Sequence, residues 1–109
     1  MDSIRDMATL KQIQSYADEV ARRFQPESII LFGSYASGCA TPDSDVDLLV
    51  IMRHVGRPPE QAAKIRDAVR APFALDLLVR SPERLRERLA MNDCFLREIV
   101  AHGRPLHES

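Results

Sequence analysis

SIILFGSYASGCATPDSDVDLLVIM, residues 28–52, decides how the chain folds. An apolar run ends in Gly33-Ser34. After ten residues of mostly small and polar type, Asp45-Val46-Asp47 opens a second apolar run. Alternate residues of a strand share a face. Asp45 and Asp47 are therefore expected side by side at the start of a strand that otherwise reads as buried. Two close anions in such a place repel each other and lose hydration. A divalent cation relieves both problems, and hard oxygen ligands suit Mg²⁺, completed by water and substrate phosphates.

A third carboxylate belongs to the same reading. FALDLLV, residues 73–79, is another apolar run with one acid at its centre, Asp76. Acids are depleted in strands and costly to bury unpaired. If this strand lies beside the Asp45–Asp47 strand, the three carboxylates converge, a set that fits two-metal phosphoryl or nucleotidyl transfer. Asp45 and Asp47 would bridge two Mg²⁺ ions. Asp76 would bind the ion that holds the attacking hydroxyl and accept its proton. The Gly33-Ser34 turn, opening a short helix, offers backbone N–H groups and a hydroxyl to phosphates, and Gly33 allows close approach.

Working outward, residues 3–24 show apolar positions at helical spacing, Leu10, Ile13, Ala17, Val20 and Phe24. Ser3 or Thr9 is the expected cap and Pro26 the stop. Strands are expected at 28–33, 45–52 and 73–79, with a helical turn at 34–39 and a turn at 41–44. A helix is expected over 59–70, opened by Pro59. Ser81-Pro82 opens a fourth, and Asp93 caps a last one over 94–102 that Gly103 closes. Phe95, Ile99 and Val100 are assigned to its core face. RPLHES, 104–109, reads as a polar, frayed tail in which Leu106 alone could dock. The fold class is α/β: a small mixed sheet of at least three strands with helices mainly on one face.

Residues 1–109 are expected to form a single domain. The net charge is -1 and thirteen of the fifteen basic residues are arginines spread along the chain, which gives no global field for nucleic acid or an anionic membrane. Two cysteines, Cys39 and Cys94, without a CxxC indicate neither a disulfide framework nor a zinc site. The three histidines lack metal-ligand spacing and are expected at the surface. With no signal-type segment and no membrane-length apolar run, a cytoplasmic protein is expected.

GSYASGCATPDSDVDLLV with the later Asp76 strand resembles the DNA polymerase beta-type nucleotidyltransferase superfamily, closest to its minimal nucleotidyltransferase (MNT) domains. The resemblance covers most of the chain and implies the polymerase beta-like fold. It implies an antitoxin, encoded beside a HEPN-domain ribonuclease toxin, that transfers AMP from ATP to a toxin tyrosine with Mg²⁺. A hetero-oligomer with that toxin follows. Gly33, Ser34, Asp45, Asp47 and Asp76 fall on the family's functional positions. Ser37, where many members carry Arg, is grouped with Gly33 and Ser34 as nucleotide-binding. Two alternatives stand beside this: an antitoxin that acts by binding and occlusion, and a small-molecule nucleotidyltransferase of the aminoglycoside-modifying kind.

Overall fold

The computed structural model describes residues 7–109. Helix α1, Leu10–Phe24, starts in a capping box: Thr9 Oγ1 accepts from Gln12 N at 3.0 Å and Gln12 Oε1 accepts from Thr9 N at 2.9 Å. Thr9 is thus the cap, residues 7–9 precede the helix rather than belong to it, and the expected stretch 3–6, with Ser3, lies outside the described residues. Gln25, in a left-handed conformation, and then Pro26 end it. The chain continues through β1 Ser28–Phe32, α2 Ser34–Ser37, β2 Val46–Ile51, α3 Pro58–Ala68, β3 Leu75–Arg80, α4 Pro82–Ala90, α5 Cys94–His102 and β4 Arg104–Glu108. Both expected late caps form: Ser81 Oγ accepts from Arg84 N, and Asp93 Oδ1 from Leu96 N.

The four strands lie in the order β3-β2-β1-β4. β1 runs antiparallel to β2 and to β4, while β2 and β3 are parallel, with α3 as the crossover that parallel neighbours require. β2 reads VDLLVI, nearly every residue buried. Leu48 and Val50 join the larger core with Ile13, Ala17 and Val20 of α1 and Ile65 of α3. Leu49 and Ile51 face the other way, toward Leu96 and Ile99 of α5 and, at the edge of that cluster, Leu85 and Leu89 of α4. A strand without a polar face needs cover on both sides. The expectation of helices mainly on one face is corrected in that detail: α1 and α3 cover one face, α4 and α5 the other. Among the described residues, no helix is long and apolar enough to cross a membrane.

The C-terminal segment also differs from expectation. RPLHE is not a frayed tail but the edge strand β4, paired with β1 through a register irregularity at Ile29/Ile30. Pro105 is tolerated because an edge strand has an open side. Leu106 does pack on the larger core, and its carbonyl accepts from Gln14 Nε2 of α1 at 2.9 Å. Ser109 N reaches Glu27 O at 2.9 Å. His107, expected at the surface, is half-buried as part of this strand. Gly103 makes the reversal from α5 into β4: a Cβ there would lie 2.4 Å from Ile99 O and 2.5 Å from Ile30 Cγ2. Deleting residues 104–109 should therefore lower the melting temperature by about 5 °C or more and, with the β1 edge uncovered, promote association. Calorimetry and light scattering check this; an unchanged melting temperature would mean that β4 is not part of the cooperative fold.

Candidate active site

Strand pairing brings the predicted acids together. In the parallel register Asp47 lies opposite Asp76, and in the antiparallel register Asp47 lies opposite Phe32, the residue before Gly33. Neighbouring strands are about 4.8 Å apart, so Asp76, Asp47 and the Gly33 turn form a row across three strands. Asp45 precedes β2 by one residue and shares the face of Asp47. The bond from Val46 N to Ala74 O, 2.8 Å, ties the entries of β2 and β3 together beside it. Leu49, Ile51 and Leu78 alternate with the acids onto the α4/α5 face, so the row opens on that side.

Asp45 and Asp76 are exposed, whereas Asp47 is half-buried. Burial, and after it the negative charges of Asp76 and Asp45, hold the Asp47 carboxyl above the usual carboxylate range. Among the described residues no side-chain hydrogen bond or ion pair reaches any of the three. This unpartnered anionic row is a donor set suited to a hard cation. It is not a finished cage: among the described residues, no group of three His, Cys, Asp or Glu side chains has the geometry to hold a metal ion as it stands.

Gly33 is required twice over. Its φ is 75°, and a Cβ there would lie 2.1 Å from Asp47 Oδ2. An alanine would strain the turn and displace the central carboxylate. Gly33 caps α2, and its carbonyl accepts from Ala36 N and Ser37 N, each at 3.1 Å. The amides of Ser34 and Tyr35 precede those bonds and belong to the donors a helix leaves unused at its start. Ser37 Oγ donates to Ser34 O at 3.2 Å. Tyr35 packs under the turn against the larger core, its hydroxyl accepting from Ala8 N at 3.2 Å. Between α2 and β2, the Thr41–Ser44 turn closes with Ser44 N to Thr41 O and Thr41 N to Ser44 Oγ, both 2.9 Å, and delivers Asp45 to the row.

Two cavities flank the acids. One, of about 340 Å³, lies between α2 and α5, with Gly33, Ser37, Phe95 and His102 in its wall. The other, of about 530 Å³, adjoins Asp45 and is lined by Tyr35, Ser44, Phe73 and Ala74. The first revises the reading of α5. Ile99 is core at 3% exposure, but Phe95 is 52% and Val100 48% exposed. Phe95 meets the Phe32 ring edge-on at 5.7 Å, with its remaining surface open. The apolar spacing of FLREIV does not distinguish a core position from a lip of the site. His54 is half-buried in its loop, with its Nδ1 enclosed and without a partner among the described residues.

Residues 13–107 match the family model described as nucleotidyltransferase domain. The chain belongs to that family. Solved structures share the fold. One is a Sulfolobus solfataricus protein assigned as a nucleotidyltransferase, 23% identical over 72% of this chain and 71% of its own, TM-score 0.56. Another is a toxin–antitoxin with AMP-PNP, 24% identical over 88% of this chain and 73% of its own, TM-score 0.56. A third is the toxin–antitoxin MntA–HpeT in a mutant with two Asp-to-Glu replacements, 20% identical over 88% and 73%, TM-score 0.53. No curated protein matches the chain.

The raised Asp47 pKa has a signed consequence for the metal-free protein. Folding favours the protonated form, so Asp47 contributes most to stability below its unfolded value of 3.8 and loses that contribution as pH rises through the higher folded value. Asp47→Asn should melt at nearly the wild-type temperature at about pH 3 and above it at neutral pH. Melting curves across pH in a chelating buffer check this; a variant less stable than wild type at neutral pH would contradict it.

Proposed function

We propose that the chain is a Mg²⁺-dependent nucleotidyltransferase that moves AMP from ATP to a tyrosine hydroxyl of a HEPN ribonuclease toxin, and so acts as the antitoxin. The observation that carries the reading is the row Asp76–Asp47–Gly33, with Asp45 beside it: three carboxylates without partners among the described residues, the central one against a turn that only glycine can make. Family membership supports the reaction class. The fold shared with toxin–antitoxin structures, one of them with AMP-PNP, supports the nucleotide and the partner. A cytoplasmic setting, with the toxin in a hetero-oligomer, goes with this role.

Asp45 and Asp47 would hold two Mg²⁺ ions, one of them shared with Asp76. When bound, the ions neutralise the acids and the phosphate charge and lower the barrier to an in-line displacement. The chain's own groups do the rest. The amides of the Gly33–Ser34 turn and the Ser34 hydroxyl hold the β- and γ-phosphates at the start of α2. Ser37, at the far end of that short helix, is in reach of the same phosphates if its hydroxyl leaves Ser34 O. Asp76 orients the tyrosine hydroxyl and takes its proton. The phenolic oxygen attacks the α-phosphorus, the bond from that phosphorus to the bridging oxygen breaks, and pyrophosphate leaves on the Gly33 side.

Co-expression with a HEPN-type protein encoded beside this chain tests the proposal, read as the intact mass of the partner. Wild type should add one or more AMP units. Asp45→Ala/Asp47→Ala should lower the modified fraction at least about a hundredfold. A partner left unmodified by wild type, yet neutralised in a stable complex, would replace transfer with occlusion.

A further inference from the structure

We infer that the cavity between α2 and α5 seats the nucleobase of the nucleotide, with Phe95 as its stacking face and Glu98 and His102 as its polar rim. This rests on the nucleotide reading above and adds where the base lies and which residues select it.

The position of the cavity is the first argument. Gly33 and Ser37 belong to its wall, so it opens directly beside the turn that faces the phosphates. Phe32, also in the wall, is the register partner of Asp47, which puts the cavity one strand away from the acid row. A nucleotide with its phosphates at the turn therefore has this concave surface directly beside it on the α5 side, whereas the other cavity that Phe95 lines is bounded by Arg80, Arg84 and Arg88 and includes no residue of the turn. At about 340 Å³ that surface falls in the size range of small-ligand clefts.

Its chemistry is the second argument. Phe32, Phe95 and Ile99 make an apolar wall. Phe95 is half exposed although large and aromatic, and Phe32 fixes its ring from one side only. A base lying on the open face would bury that surface, and every base has a π-face to offer. Glu98 and His102 are four residues apart on α5 and so share one side of the helix. Both line the cavity. The Glu98 carboxylate accepts hydrogen bonds only. The exocyclic amine of adenine donates to it, whereas at the corresponding position uracil presents a carbonyl oxygen, which opposes it. The cavity beside Asp45 suits a base less well: it lies on the far side of the acids from α5, and Ser44 and Asp45 make its acid-side wall polar.

Dissociation constants for AMP-PNP and for inorganic tripolyphosphate, each with Mg²⁺, test the assignment on the full chain. Phe95→Ala should weaken AMP-PNP about tenfold and leave tripolyphosphate unchanged. Phe95→Leu keeps most of the apolar volume against Phe32 without the aromatic face, and should show the same split. Glu98 is exposed, so Glu98→Ala folds normally; it should weaken AMP-PNP several-fold, spare tripolyphosphate and narrow the preference for ATP over UTP. If the variants bind AMP-PNP as wild type does, or lose both probes equally, the base does not lie here and the nucleotide reading stands without it. If wild type binds neither probe, the nucleotide reading itself falls.

Discussion

The parallel pairing of β2 with β3 is the constraint on which the site depends. It sets Asp47 beside Asp76, an arrangement that like charges alone would not favour. What holds it is the rest of β2: Leu48, Leu49, Val50 and Ile51 are all buried, two toward each face. Burying one such side chain is worth about 1.5–3 kcal/mol. Repulsion among three acids, two of them bathed in water, is the weaker effect. The same burial fixes the register, since a slip of one residue would turn Asp47 under α1 and α3 and send Leu48 to the other face.

From that pairing the site acquires two unlike sides. Toward β1 stands a turn without a side chain, close against Asp47, with donors at the start of α2 and an apolar cavity beyond. Toward β3 stands Asp76, exposed and in no ion pair among the described residues. In the proposed reaction the phosphates lie on the first side and the incoming hydroxyl on the second, with Asp47 between them. The half-burial of Asp47 accounts for its raised pKa and makes it the member of the row that gains most from a bound cation.

The acids were legible in the sequence because each interrupts an apolar run, and an unpaired acid within a strand demands a reason. The caps at Ser81 and Asp93 were legible, and Thr9 was one of two candidates, because capping is local chemistry between residues three apart. What the sequence hid depends on distant partners. RPLHE carries one large apolar residue and a proline, and becomes a strand only because β1 offers a free edge. The run VDLLVI implied burial, but that helices cover both of its faces appears only once α4 and α5 are placed. Phe95 and Leu96 are neighbours of similar hydrophobicity, yet one is half exposed and the other buried, and the spacing of α5 alone does not say which.

In the proposed function Asp45, Asp47, Asp76 and the Gly33 turn act as one cation and phosphate site. Paramagnetic broadening of backbone amide NMR signals by substoichiometric Mn²⁺ with AMP-PNP tests it most directly. The account predicts that the signals of Gly33, Ser34, Asp45, Asp47 and Asp76 broaden first and together, ahead of those on α1 and at the outer end of β3. Broadening centred elsewhere, or spread evenly over the surface acids, would contradict it.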